Sequence, residues 1–314
     1  MLTAMTEPTE SRRQRAARRA GEFPPAPEPL PLPVLDSHTH LDIIVTESGV
    51  PGAPQPATEP TTAPPDAGPA SGDPVHLLIE VAAAAGVDRL VQVGTDVGSS
   101  RWGAEAADRY PAVLATVALH PNDAPRLADL DAALREIEAL AGRDRVRGIG
   151  ETGLDHFRTG DEGRAAQEES FRAHIAIAKR HHKALVIHDR DAHADVLRVL
   201  DSEGAPETVV LHCFSGDEEF AAECVRRGYV LSFAGTVTFG NAAGLRAAAK
   251  LTPLDQLLVE TDAPYLTPTP YRGRPNASYL IPLTVRTLAE ATGADLDELC
   301  AAISATGERI FGPW

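Results

Sequence analysis

The sequence predicts an α/β protein built as a single (β/α)8 barrel of the TIM type, and three observations lead to that prediction. The chain has 314 residues, 43% of them hydrophobic, which is enough for one large core and is a common length for such barrels. Short apolar segments rich in β-branched residues alternate with longer segments whose apolar residues have helical spacing. There are eight strand-like segments, which favours a closed barrel over the alternative, an open doubly wound sheet.

The predicted strands begin and end where the apolar character of the chain changes. They lie, in order, at residues 34–40, 89–96, 113–121, 145–155, 184–191, 208–216, 229–235 and 257–266. Between them stand helical segments such as LADLDAALREIEALAG and AAQEESFRAHIAIAKRHH, which have Gly or polar residues at their ends. The barrel domain is therefore expected to span residues 34–314.

Two segments lack a pattern that could form a core. They are residues 1–33 and the Pro-, Thr-, Ala- and Gly-rich residues 48–74. We expect a disordered N-terminal tail and a flexible loop insertion into the barrel. Because the insertion follows the first strand, it is expected near the barrel mouth, either as a mobile lid or as a passive linker.

Charge and cysteine content narrow the function classes. The formal net charge of −16 disfavours a broad, sequence-independent grip on nucleic acid, although a small metal site that binds one phosphate remains compatible with it. The three cysteines are far apart, so neither a disulfide framework nor a thiolate zinc site is expected, and we predict reduced thiols in the cytoplasm. No apolar run reaches the ~18 residues of a membrane helix, and no apolar region follows the basic SRRQRAARR as an export signal requires.

Polar residues stand at the ends of most of the predicted strands. They are His38, His40, Asp96, His120, Glu151, His188, His212 and Asp262. In a barrel the carboxyl ends of the strands converge on one face, so these side chains are expected to surround one cavity. A single histidine is more often a hydrogen-bonded structural group, which is the interpretation adopted for His76, His174, His181, His182 and His193. Repetition on successive strands instead indicates a bound cation, because a buried polar group costs free energy unless it is paired or ligated.

Histidine and carboxylate side chains without cysteine indicate a catalytic site for divalent cations. There are more of these ligands than one ion needs, whereas two cations bridged by Glu151 would use them. The first site would be completed by His38, His40 and Asp262, and the second by His188 and His212. Mg²⁺, Mn²⁺ and Zn²⁺ all remain candidates. Such a site activates water for hydrolysis, with Asp262 as a candidate general base.

With these residues in place, the sequence resembles the TatD family of metal-dependent deoxyribonucleases, in the amidohydrolase-like barrel superfamily. The similarity runs from about residue 34 to residue 312 without the Pro-rich insertion, and it rests on motifs in a fixed order. These are DSHTHLD, LHP, GETGLD, IHDRDA, HCFSG, TDAPYL and RGRPN. The resemblance implies a TIM-type barrel, a divalent-metal site and cleavage of phosphodiester bonds in DNA, most commonly as a 3′-to-5′ exonuclease on single strands.

The resemblance also implies roles for particular residues. The resemblance supports six residues as metal ligands: His38, His40, Glu151, His188, His212 and Asp262. His120, in the LHP motif, resembles the family's non-ligating mouth histidine, which would contact phosphate, position water or form a supporting hydrogen bond. The chain departs from the family pattern after GLD, where His156 and Phe157 replace an aromatic pair, and after RPN, where Ala277 and Ser278 replace Glu and Pro. These departures bear on substrate preference and leave the ligand set intact.

Substrate contacts are expected from Arg190, Arg274 and Asn276. A guanidinium binds phosphate oxygens through paired hydrogen bonds, but each arginine could instead pair with a carboxylate, and Asp189 and Asp191 flank Arg190. Asn276 would hydrogen bond near the mouth or serve a turn of its loop.

Three functions remain open from the sequence. The first is a deoxyribonuclease acting on single-stranded DNA ends, with no membrane and no obligate protein partner. The second is a metal-dependent hydrolase of another bond, such as an aminoacyl-tRNA deacylase or a small ester or amide hydrolase. The third is a non-catalytic binding protein, against which the complete ligand set argues. Cationic side chains at the mouth would favour the first function, and an apolar pocket would favour the second.

Overall fold

Eight parallel strands form the centre of the computed structural model, which describes residues 21–49 and 72–314. Each strand is hydrogen-bonded to the next one along the chain. The backbone N–H of His40 donates to Ala263 O, and that of Asp262 donates to His38 O, which joins the region after the last strand to the first strand. The predicted (β/α)8 barrel is confirmed.

The strands are buried along nearly their whole lengths, as expected for a parallel sheet covered on both faces. They are β1 (Val34–Thr39), β2 (Val87–Val93), β3 (Val113–Val117), β4 (Val146–Asp155), β5 (Ala184–Arg190), β6 (Val209–Leu211), β7 (Val230–Phe233) and β8 (Leu257–Val259). Strands β6 and β8 are much shorter than the segments predicted for them. The chain leaves the sheet soon after each of them, where Cys213, Asp262 and Leu266 have positive φ angles of 43°, 54° and 57°.

Nine helices of nine or more residues surround the barrel in the described part of the chain. They are α1 (Pro74–Ala84), α2 (Val97–Arg109), α3 (Leu130–Ala141), α4 (Asp161–His181), α5 (His193–Glu203), α6 (Glu218–Arg226), α7 (Ala243–Leu251), α8 (Ile281–Thr292) and α9 (Leu296–Phe311). Asp96, grouped with the polar strand ends in the sequence, caps α2 by accepting from the Ser99 N–H at 2.7 Å. None of the helices in residues 21–49 and 72–314 is long and apolar enough to span a membrane.

Strands β4 and β5 approach each other closely at Gly153. This glycine has a φ of +136°, and a Cβ added to it would lie 2.1 Å from the backbone oxygen of His188. Only glycine accommodates both the backbone angle and the contact. The close approach brings Glu151 of β4 beside His188 of β5.

The structure differs from the predicted tail at residues 21–33, which we call the N-terminal strap. Leu30 is buried, and its N–H donates to Ala85 O at 3.1 Å. The Tyr279 hydroxyl donates to Pro24 O at 2.5 Å. The strap is proline-rich but packs against the barrel, because its carbonyl groups find donors there and its apolar residues find a surface to cover.

The remaining predictions of disorder lie outside the described residues. They concern residues 1–20 and residues 50–71. The described ends of the predicted insertion are ordinary elements: Ser48 ends a short helical segment, and Asp73 caps α1 by accepting from the Val75 N–H at 3.0 Å.

Candidate active site

A cavity of about 610 Å³ opens at the mouth of the barrel, where the carboxyl ends of the strands meet. Among the residues that line it are His40, His120, Glu151, His188, His212 and Asp262. His38 lies behind this surface, completely buried, with its Nε2 3.4 Å from Glu151 Oε2. The structure therefore brings together the histidine, glutamate and aspartate residues that the sequence predicts around the cavity, except Asp96, which caps α2.

Glu151 lies at the centre of the histidine cluster. Its Oε1 lies 2.7 Å from His188 Nδ1, 2.8 Å from His212 Nε2 and 3.3 Å from His120 Nε2. Burial raises the pKa of Glu151, but His212 and His120 outweigh that effect and hold the pKa well below its usual value. The carboxylate is therefore ionised at neutral pH, and both of its oxygens face imidazole nitrogens.

Asp262 occupies the other end of the cluster. Its Oδ1 lies 3.5 Å from His40 Nε2 and 3.7 Å from His38 Nε2. Burial raises the pKa of Asp262, and the hydrogen bond to His40 together with the charge interaction with His38 lowers it below the usual value. His38 thus stands between the two carboxylates.

Three of the histidines have a hydrogen-bond acceptor behind the ring. His40 Nδ1 lies 3.1 Å from the backbone oxygen of Val93, and His188 Nε2 lies 3.2 Å from Asp155 Oδ2. His212 Nδ1 lies 3.2 Å from Glu260 Oε1. An acceptor on one ring nitrogen holds a proton there, so the other nitrogen is the one that would offer its lone pair to a metal ion, which is the usual arrangement of metal-ligating histidines. In all three, this second nitrogen faces Glu151 or Asp262, so a bound cation would take the place of the proton that it shares with that carboxylate.

His120 has the opposite arrangement. Its Nδ1 accepts from the backbone N–H of Asn122 at 3.0 Å, so its proton must lie on Nε2, the nitrogen that faces the cavity. The spacing of His120, Glu151 and His188 would admit a metal ion. The hydrogen-bond pattern argues otherwise, because Nε2 of the neutral ring offers a donor and no lone pair.

The cluster fits divalent cations. There are three groups of residues in which the ligand atoms of the group all lie within 4.8 Å of one another. They are His38, His40 and Glu151; His38, His212 and Glu260; and His120, Glu151 and His188. Both ring nitrogens of His38 are buried without a hydrogen-bond partner. Burial and His212 lower the pKa of His38, so the ring is neutral and can offer a lone pair. An orphaned, fully buried imidazole costs free energy that a bound cation would offset.

Asp155 and Glu260 are site residues that the sequence reasoning missed. Both are completely buried, and each accepts from the rear nitrogen of a cluster histidine. A period-two signal was available for both, since Asp155 stands four residues after Glu151 on β4 and Glu260 stands two residues before Asp262. This spacing alone does not show that either carboxylate is buried in the site, because that depends on the histidine that faces it.

Of the three predicted substrate contacts, only Arg190 lines the cavity. Its neighbour Asp189 pairs with His193 at 2.7 Å. Arg274 instead donates through Nε to Glu22 O at 2.8 Å and through Nη2 to Phe23 O at 2.6 Å, which commits it to the N-terminal strap.

Asn276 is likewise turned away from the cavity. It is completely buried, and its Nδ2 donates to Thr261 O at 3.1 Å and to Tyr265 O at 2.5 Å. The structure places it as a brace of the loop after β8, the turn role that the sequence left open, because its Nδ2 group donates to two backbone carbonyls of that loop.

His174 supports the segment that leads to His120. It is completely buried in α4, where its Nε2 accepts from the Leu119 N–H at 3.1 Å and its Nδ1 donates to Ser170 O at 2.7 Å. Burial lowers its pKa to about 4. His174 is therefore a neutral structural histidine, as the sequence analysis assumed.

We expect His174→Gln to reduce the acid sensitivity of the barrel. The folded pKa of about 4 lies below the ordinary 6.5, so the stability that depends on the neutral ring is present above pH 6.5 and is lost as the pH falls toward 4. The full difference is about 3 kcal/mol. Urea unfolding at neutral pH and near pH 4 should show a fall in the free energy of unfolding that is smaller in the variant by about this amount. Equal falls in both proteins would contradict the assignment.

Fold and site together define a class of protein, the metal-dependent hydrolases with a barrel fold and a histidine–carboxylate mouth. Residues 35–312 match the family model described as TatD related DNase, and the chain belongs to that family. The family predicted from the motifs is confirmed.

Relatives and solved structures agree with this assignment. The chain is 44% identical over 283 residues to the uncharacterized metal-dependent hydrolase TatD of Mycobacterium tuberculosis, covering 89% of this chain and 98% of that protein. It is 36% identical over 243 residues to a Citrobacter rodentium protein named 3′-5′ ssDNA/RNA exonuclease TatD, covering 75% and 90%. The crystal structure of YjjV, a TatD homologue from Escherichia coli K12, superposes with a TM-score of 0.76 at 25% identity, covering 89% and 98%. The protein is a metal-dependent hydrolase.

Proposed function

We propose that the protein is a divalent-metal-dependent deoxyribonuclease that hydrolyses phosphodiester bonds from the 3′ ends of single-stranded DNA. The observation that carries the proposal is the charge of the cavity wall: Arg158 and Arg190 line the same cavity as the histidine cluster. Guanidinium groups match the geometry of phosphate oxygens, whereas a small ester or amide needs no such partner. The Citrobacter rodentium relative, named as a 3′-5′ ssDNA/RNA exonuclease, supports the same function.

The histidines and carboxylates of the cluster have the role of metal ligands in this proposal. One cation would be held by His38, His40, Glu151 and Asp262, and a second by Glu151, His188 and His212. When bound, such cations lower the pKa of water and stabilise negative charge on phosphoryl oxygens. Glu151 would be the residue shared by both cations, because its two oxygens face different histidines.

Asp262 and His120 have the proton-handling roles. The lowered pKa of Asp262 keeps its carboxylate ionised at neutral pH, so its Oδ atoms are able to accept the proton of an attacking water. The Nε2–H of His120 faces the cavity and is able to donate to a non-bridging phosphate oxygen. Arg158 and Arg190 would bind the flanking phosphate charge.

The compartment and partner follow from the same proposal. Cys213, Cys224 and Cys300 are free thiols, which suits the reducing cytoplasm, where DNA ends are the substrate. The net charge of −16 makes extended contact with DNA unfavourable and suits an enzyme that grips a few nucleotides at a strand end.

The proposal is tested by restoring metal to chelator-stripped protein. Single-stranded DNA labelled at its 5′ end is incubated with Mg²⁺, Mn²⁺, Zn²⁺ or no metal, and a 3′-labelled copy reports the polarity. We expect a ladder of shortened 5′-labelled products with metal and none without it, together with early release of the 3′ label. RNA of the same sequence tests whether the sugar matters.

One outcome would overturn the nuclease function. If folded protein that retains metal cleaves neither DNA nor RNA with any of the cations, the bond it hydrolyses is a different one. Aminoacyl-tRNA and small esters and amides are then the substrates to screen, since the metal-dependent hydrolase class would still stand.

A further inference from the structure

Arg158 and Arg190 line one side of the cavity, and Phe157 packs against Arg190 beside it; we call these three residues the β4–β5 wall. Phe157 and Arg158 follow the end of β4, and Arg190 is the last residue of β5. The His156 N–H donates to Arg190 O at 2.9 Å and ties the two strand ends together. The three side chains are therefore presented beside the histidine cluster as one unit.

Phe157 is a large apolar side chain that the fold leaves in solvent, with 63% of it exposed. The Arg190 guanidinium lies over its ring, with Cζ 4.0 Å from the ring centroid. One face of the ring is thus covered by a cation while the rest stays open. An exposed aromatic ring beside guanidinium groups is the kind of surface on which unpaired bases stack.

Asp155 fixes the β4–β5 wall relative to the cluster. Its Oδ1 accepts from the backbone N–H groups of Phe157 at 3.0 Å and Arg158 at 2.8 Å. Its Oδ2 accepts from His188 Nε2 at 3.2 Å and from the Asn122 side chain at 2.9 Å. One buried carboxylate therefore positions both the exposed ring and a cluster histidine, and a subsite built this way is ordered before the ligand arrives.

Arg158 and Arg190 also carry charge that the protein leaves uncompensated. Within residues 21–49 and 72–314, neither guanidinium forms an ion pair or a hydrogen bond, and both line the cavity. Two arginines on the outer helices are instead paired: Arg172 lies 2.7 Å from Glu168, and Arg198 lies 2.6 Å from the same carboxylate. In a chain with a net charge of −16, two free guanidinium groups beside the cluster indicate an anionic ligand there.

We propose that the β4–β5 wall is a nucleotide subsite that selects substrates with an unpaired base next to the cleaved phosphate. This inference rests on the proposed nuclease function and specifies how its site chooses a substrate. The base stacks on the open face of Phe157, which gives a three-layer stack of base, ring and guanidinium. The N–H groups on the edge of Arg190 stay available for phosphate, and Arg158 binds the same backbone.

The subsite explains a preference for single strands without any contact to the second strand. A base in a duplex is already stacked and paired, so it reaches Phe157 only after the end of the duplex opens. Stacking does not depend on base identity, because every base has a π-face, and we therefore expect little sequence preference.

The test compares two single-stranded DNA substrates with metal-loaded enzyme. One substrate carries normal nucleotides throughout, and the other lacks the bases of its 3′-terminal nucleotides but keeps the phosphates. Phe157→Ala is expected to raise KM for the normal substrate about tenfold with little change in kcat, because the terminal base loses its stacking partner. The same variant should leave the abasic substrate unaffected, and Phe157→Tyr should restore the wild-type KM.

Replacing Arg158 is expected to change the kinetics differently from replacing Phe157. Arg158→Ala is expected to raise KM for both substrates and to reduce the slope of log affinity against log salt by about one, because a phosphate contact is lost. Arg135→Ala is the matched control, since Arg135 is an exposed arginine of α3 outside the cavity and its loss changes the net charge equally. It should change neither KM nor the salt slope.

Two kinds of failure are distinguishable. If wild-type enzyme degrades DNA but Phe157→Ala slows both substrates equally or neither, the β4–β5 wall is not a base-stacking subsite, and the nuclease function still stands. If wild-type enzyme cleaves neither substrate with any metal, the nuclease function fails and the subsite fails with it.

Discussion

Replacing Glu151 by alanine is expected to lower metal-dependent hydrolysis by at least about a thousandfold while the barrel stays folded. Four histidine nitrogens, from His38, His120, His188 and His212, lie within 3.4 Å of this one carboxylate. Removing it takes away the shared acceptor and, in the proposed function, the bridge between two cations. A loss of about 4 kcal/mol of transition-state stabilisation corresponds to such a factor.

The measurement pairs activity on single-stranded DNA with the metal content of the purified variant. Circular dichroism and thermal unfolding establish that the fold is retained, as expected because the apolar side chains of β4, such as Ile149 and Leu154, keep their packing. Glu105→Ala, on the exposed face of α2, is the matched control. Wild-type activity in Glu151→Ala under identical metal conditions would refute the two-metal site.

Replacing Glu260 by glutamine is expected to weaken metal binding by about 10- to 100-fold. Glu260 is completely buried, and its Oε1 accepts from the Cys213 N–H at 2.8 Å and from His212 Nδ1 at 3.2 Å. Burial lowers the pKa of His212, but Glu151 and Glu260 hold it well above its usual value, so Glu260 makes this imidazole a more basic ligand. Glutamine keeps an acceptor at this place but removes the charge.

Competition with a chromogenic chelator measures the effect on metal affinity directly. Glu219→Gln, at an exposed position of α6, serves as the matched control and should bind metal as the wild type does. The glutamine side chain also places a new donor where Glu260 Oε2 has no partner, so the thermal unfolding temperature is recorded alongside. Unchanged affinity in a folded Glu260→Gln variant would show that His212 does not depend on this carboxylate.

The barrel and the cluster were predictable because both follow from local patterns. Alternation of strands and helices determines the architecture, and the architecture carries every strand end to the same mouth. His38 and His40 stand two residues apart on and just after β1, so one side of a strand was enough to reveal them. The remaining cluster residues then needed no distance information, since each stands in or soon after its own strand, toward the mouth of the barrel.

The residues that escaped prediction depend on contacts between distant parts of the chain. Arg274 was expected at the substrate, yet it bonds to Glu22, 252 residues away, and no local pattern signals that pairing. Arg158 was not considered, because whether an arginine is free or paired depends on which carboxylates the fold brings near it. Asp155 and Glu260 required knowledge of which imidazole nitrogen each would face.

The N-terminal strap has a consequence for the order in which the protein assembles. Its first residues are synthesised long before their partners: Arg274 and Tyr279 contact Glu22, Phe23 and Pro24 across more than 250 residues of chain. The first strand likewise cannot form its hydrogen bonds to the region after the last strand until that region has been synthesised. During synthesis Leu30 can reach Ala85 early, but residues 22–24 cannot dock until nearly the whole chain has emerged, and their docking marks the completion of the barrel.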